Sequence, residues 1–131
     1  MKNYILMICS LILLTSCIPS SVVARDTKLE DSIYSIMIDK DIEEININSL
    51  TDFNWEKAFI FPPYTTQESM NDQLGIDYID SSNISSRDDI NVIIFLNKGK
   101  VTRIAEIARR YGDLVTDTLT PTNDSIKIKR E

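Results

Sequence analysis

The adjacent carboxylate pairs Glu43-Glu44 and Asp88-Asp89 raise the question of catalysis, because two acids suffice for glycoside cleavage. Neighbours on a strand point to opposite faces and cannot flank one bond, so both pairs read as solvated surface. The chain contains no histidine, which removes the commonest general base, the commonest metal ligand and the usual pH switch together. Asp77, Asp80, Asn83, Asp88 and Asp89 put hard oxygen ligands in one segment, as calcium requires. Their spacing lacks the alternate-residue pattern and closing glutamate of a calcium loop, and such residues are ordinary loop formers, so neither metal nor cofactor is expected. Trp55, Phe59, Phe61 and Tyr64 form an aromatic run. The first three are expected on the core face of one strand at period two; Tyr64, beyond two prolines, is kept as an exposed contact. Arg109-Arg110-Tyr111 is a basic-aromatic group suited to meeting a carboxylate or phosphate, although a surface loop explains it equally well.

The cysteines belong to a different chemistry. Lys2 precedes the apolar run Ile5 to Leu14, which falls short of the roughly 20 residues needed to span a bilayer and fits a signal-peptide core. Leu14-Thr15-Ser16-Cys17 resembles the bacterial lipobox. That resemblance implies a diacylglycerol on the Cys17 thiol, cleavage before it, and a palmitate-type acyl chain on the new amine. A secretory cut after Val22-Val23-Ala24 is the alternative. Two or three chains hold a protein at a membrane durably, whereas one does so only marginally. Ile18, rather than aspartate, follows the cysteine and permits the outer membrane as well as the cell membrane.

Removing residues 1–16 from the 131 leaves 115, with 13 basic against 20 acidic residues and a formal charge of −7. That length suits one domain, and with Cys9 gone and Cys17 acylated its core must hold it without a disulfide. The acidic balance argues against nucleic acid and against flat adsorption on anionic lipid.

The elements follow from period and punctuation. Residues 1–16 are a leader, 17–26 a lipidated tether, and 27–131 a single domain. Thr27 with Glu30 forms a capping box, and Leu29, Ile33, Ile36 and Met37 share a face, predicting a helix over 28–38. Ile45 and Ile47 alternate in a strand, and Pro62-Pro63 must end the aromatic strand. Thr65 with Glu68 opens a short helix through Met70 and Leu74 to Gly75. Residues 77–89 read as loop, with a brief strand at 77–79. INVIIFL, the Asn97-Lys98-Gly99 turn and VTRIAEI make a hairpin. Residues 107–124 look irregular, and SIKIKRE closes the chain as an edge strand with lysines outward. The fold expected is α+β: an antiparallel sheet of about five strands, an N-terminal helix, and one short helix inserted before the central hairpin.

Trp55, Glu56, Lys57, Phe59, Phe61, Pro63-Tyr64-Thr65, Leu74-Gly75 and Lys98-Gly99-Lys100 together resemble a group of small uncharacterised bacterial lipoproteins over roughly residues 50–113. The resemblance implies export and fold, not an activity. The helix ending in Leu-Gly before a β-meander is also similar to small lipoproteins of the outer-membrane assembly machinery, in topology alone. The expectation is therefore a non-catalytic, lipid-anchored protein facing the periplasm or exterior, which binds or scaffolds an envelope protein. The alternative is a small acidic inhibitor or immunity-type protein that blocks a basic enzyme through loop 77–89.

Overall fold

A computed structural model of the chain describes residues 23–131. The leader, Leu14, Thr15, Ser16 and Cys17 lie outside the described residues. Among the described residues the fold is α+β, built from two antiparallel sheets and two α-helices. In chain order these are α1 (Thr27–Met37), β1 (Glu44–Asn46), β2 (Lys57–Phe61), α2 (Gln67–Leu74), β3 (Ile90–Asn97), β4 (Lys100–Ala108), β5 (Asp113–Leu114), β6 (Thr118–Leu119) and β7 (Ser125–Lys129).

The larger sheet has the order β4-β3-β2-β6 and the smaller β1-β7-β5. Strand β3 is buried from Ile90 to Leu96 because both faces of the larger sheet are covered. On one face Ala58, Ile60, Ile93, Phe95, Ala105 and Ile107 meet α1 through Leu29, Ile33 and Met37, and the smaller sheet through Ile45, Leu114 and Ile126. On the other, Phe59, Phe61, Val92, Ile94 and Ile104 meet Met70 and Leu74 of α2, with Tyr78 and Ile84 beyond. The alternate residues of each central strand thus feed two cores.

The hairpin turn places Lys98 at φ +52° and Gly99 at φ +73°, the pair of left-handed residues that matches strand twist in a two-residue connection. Phe95 faces Arg103 and Leu96 faces Val101, which leaves Thr102 as an extra residue in β4.

Several expectations are corrected. The helix cap is Asp26, whose carboxylate accepts the Leu29 N–H at 2.9 Å; Glu30 is drawn instead to Arg25 and to the amide of Glu106. At α2 the cap is Thr66, one residue later than the capping-box pattern placed it, accepting from Ser69 N–H. Trp55 does not share a face with Phe59 and Phe61. The chain bends at Glu56, so the period-two count restarts at Lys57. Trp55 then packs edge-on to Phe95 in the first core, while Phe59 and Phe61 stack in the second. No strand forms at 77–79; the loop there carries one short turn of helix at Ile84–Ser86. The segment 107–124 contains β5, β6 and a 3₁₀ turn at Arg109–Tyr111. The last strand is central rather than an edge, since β7 pairs with β1 and β5 on its two sides. Ordered structure also begins before Thr27: Arg25 bridges Ile104 in parallel, and Asp26 N–H donates to Ile104 O at 2.8 Å.

Candidate functional site

Strands β2, β3 and β4 end together. Ile90 faces Ala108 and Phe61 faces Val92, so the Arg109 turn and the Pro62-Pro63-Tyr64 turn lie at the same end of the larger sheet. Between that end, the last turn of α1 and the end of β7 is a cleft of about 750 Å³. Its cations are Lys40, Arg109, Arg110, Lys129 and Arg130, and its acids Asp89, Asp113 and Glu131.

These cations have different jobs. Arg109 forks onto Asp113, its Nε to Oδ1 and its Nη2 to Oδ2, and its Nη1 donates to Asp88 O at 2.5 Å. The guanidinium holds the Asp113 carboxyl below the usual carboxylate range, and the carboxylate raises Arg109 in turn. Arg130 is structural. Its Nη2 donates to the carbonyls of Met37, Asp39 and Ile42, the last two at 2.9 Å, and its Nη1 to that of Tyr111. It ties the chain end to the unsatisfied C-terminal carbonyls of α1.

Arg110 is exposed, with its guanidinium 4.9 Å above the Tyr111 ring and 5.9 Å from that of Tyr34. Tyr34 is fixed in turn, because its hydroxyl accepts the Ala108 N–H at 2.8 Å. Arg110, Lys40 and Lys129 have no salt bridge among the described residues. A planar cation ordered by aromatic faces keeps its in-plane donors available, a geometry matched to a carboxylate or phosphate.

Tyr64 is 61 % exposed at φ +63° and stands at the same end without lining the cleft. Its N–H bonds Ile84 O at 2.9 Å and Arg87 O at 3.3 Å, so the strained backbone is held by the 77–89 loop. Of the four residues singled out for contact, Arg109, Arg110 and Tyr111 converge, and Arg109 is already neutralised. Tyr34, Lys40 and Lys129 were missed. The alternating lysines of the terminal segment were visible, but nothing in the sequence places them beside α1.

A second charged group is internal. Glu30 and Glu106, both buried, are bridged by Arg25, with Nη2 2.6 Å from Glu30 Oε1 and Nε 3.1 Å from Glu106 Oε2. Arg87 binds Glu106 at 3.0 Å and forks onto Asp89 at 2.8 Å on both arms. This chain of charges joins α1, β4 and the 77–89 loop. Asp80, one of the hard oxygen ligands of that segment, accepts from Ser82 and from the Ile84 N–H and organises its own turn. Among the described residues no group of three or more cysteines or acids is placed to hold a metal ion, and no helix is long and apolar enough to cross a membrane.

No family model matches the chain, and no curated protein or solved structure matches it either. Fold and cleft together describe a small two-sheet α+β protein with a basic-aromatic recess on an acidic body.

Proposed function

We propose that the chain is a lipid-anchored bacterial envelope protein that works by binding, as a scaffold or assembly subunit rather than as an enzyme. It receives an acidic group of an envelope partner in the cleft around Arg110. The anchor half of this reading is supported by Leu14-Thr15-Ser16-Cys17 at the close of the segment Ile5 to Leu14, which is apolar except for Ser10. The binding half is carried by one observation: Arg110 is stacked against Tyr111 and Tyr34 with no acid among the described residues engaging it, beside Lys40 and Lys129, in a chain of net charge −6. An acidic molecule whose recess keeps Arg110, Lys40 and Lys129 without a salt bridge among the described residues favours complementary docking over general attraction.

The inhibitor reading has less support, because two acids of the 77–89 loop are spent internally, Asp80 on its own turn and Asp89 on Arg87. Non-catalytic action is supported by the two buried carboxylates, Glu30 and Glu106, whose partners are the arginines Arg25 and Arg87 of the fold itself.

Mass spectrometry of protein recovered from membranes tests the anchor; a diacylglyceryl Cys17 at the new N-terminus is expected. Crosslinking in intact envelopes tests the cleft. Arg110→Glu should lower the yield of a stoichiometric adduct at least tenfold, while Arg110→Lys should retain part of it. Equal yields from all three proteins would sink the binding reading.

A further inference from the structure

The N-terminal segment reaches the fold at one end of β4. Its parallel bridge to Ile104 makes residues 23–26 run beside that strand from the Lys100 end toward Ala108. Val23 packs on the second core with Ile76 and Val101, at the rim of a hollow of about 630 Å³ that also takes in Tyr78, Ile79 and Lys100. Ile79 belongs to neither core and is 76 % exposed, the highest value for a large apolar side chain among the described residues. Lys98 and Lys100 are exposed on the adjoining hairpin turn, and Asp77 stands on the same rim.

We propose that this end of the molecule seats on the phospholipid bilayer. Ile79 enters the boundary between headgroups and acyl chains, Val23, Ile76 and Val101 close beneath it, and Lys98 and Lys100 meet lipid phosphates. The proposal rests on the anchor reading above and adds an orientation to it. Cys17 precedes Val23 by six residues, which span at most about 20 Å when extended. Acyl chains on Cys17 therefore keep the Ile79 end near lipid. The nine residues of β4 set the Arg110 cleft roughly 26 Å further along. One isoleucine and two lysines would bind a vesicle weakly on their own, and Asp77 opposes them. Tethering makes the contact intramolecular, so a weak preference suffices to populate it.

The test uses the acylated full chain carrying Ile79→Cys or, as the distal control, Val115→Cys, whose native side chain is 49 % exposed. With Cys9 removed and Cys17 in thioether linkage, an environment-sensitive maleimide dye reports the new cysteine alone. In vesicles of phosphatidylethanolamine and phosphatidylglycerol with spin-labelled acyl chains, quenching at position 79 should exceed that at 115 several-fold. Adding Lys98→Glu and Lys100→Glu should bring it down to the control level. Equal quenching at 79 and 115 with Cys17 shown to be acylated would overturn the seating and leave the anchor standing. Shielding of the dye without lipid quenching would also overturn it, in favour of a second copy or of residues 18–22 as the cover. A second dye on an unmodified Cys17 would remove the anchor itself, and the seating with it.

Discussion

Gly112 leaves the Arg109–Tyr111 turn at φ +137°, where a side chain would place its Cβ 2.9 Å from Ile128 Cγ2 and 3.0 Å from the Lys129 carbonyl oxygen. The strand-to-turn passage beneath the cleft depends on that bare α-carbon, and backbone cannot yield as a flexible side chain would. Gly112→Ala should cost about 2–3 kcal/mol in urea unfolding and disorder the cleft floor. Titration offers a second test at this scale. Asp89 and Asp113 are held below the usual carboxylate range, first by hydrogen bonds from Arg87 and Arg109. Groups with a lowered folded pKa stabilise above the unfolded value near pH 4, and that contribution is lost as pH falls through the folded values. Tyr78 is shifted upward, first by burial and then by the charge of Asp80. Its contribution is intact below pH 10 and is lost as pH rises past it. Thermal melting against pH should show both limbs, with Tyr78→Phe flattening the alkaline one and Asp113→Asn the acid one.

Helix α1 closes the open edge of the larger sheet with side chains as well as packing. The outward groups of β4 are met in order: Ile104 O by Asp26 N–H, Glu106 N–H by the Glu30 carboxylate at 2.8 Å, and Ala108 N–H by the Tyr34 hydroxyl. Glu30 and Tyr34 lie four apart on one helical face and so reach amides two apart on the strand. Exposed edges invite pairing with other chains, and this one is blocked without a further strand. Tyr34→Phe should cost about 1 kcal/mol and raise the hydrogen-exchange rate of the Ala108 amide. Glu30→Gln should cost more, about 2–3 kcal/mol, since Arg25 loses a charged partner and the Glu106 amide a charged acceptor; Arg25 is half exposed, which keeps this below the full cost of breaking a buried pair.

At the same scale the sequence was legible wherever signals were local. The hairpin turn with its glycine, the Gly75 stop and the apolar face of α1 all appear where their periods place them. Long-range choices were not legible. Strand β7 became central because β1 and β5 pair with it: the alternation at Ile45 announced a strand but not its partner, and β5 has 2 residues, too few to display a period. Asp26 rather than Thr27 caps α1, and Glu30, the expected box partner, is turned to Arg25 and the Glu106 amide, partners that lie outside the local pattern. In the site, residue type alone flagged Arg109, Arg110 and Tyr111. Tyr34 and Lys129 reach them from 76 and 19 positions from Arg110 along the chain, a convergence only the folded topology supplies.

Across the whole molecule, both turns proposed for contact, at Tyr64 and at Arg109–Tyr111, lie at the end of the sheet away from Val23. Polarity of this kind arises from one topological fact, the entry of the chain alongside β4 in the parallel sense. The same entry settles how the body answers a mechanical load. A load applied between the cleft and the N-terminal side of Val23 would draw residues 23–26 lengthwise past β4. The Asp26–Ile104 bond and the Arg25 clamps onto Glu30 and Glu106 would then slide in shear and give way together, instead of unzipping one at a time.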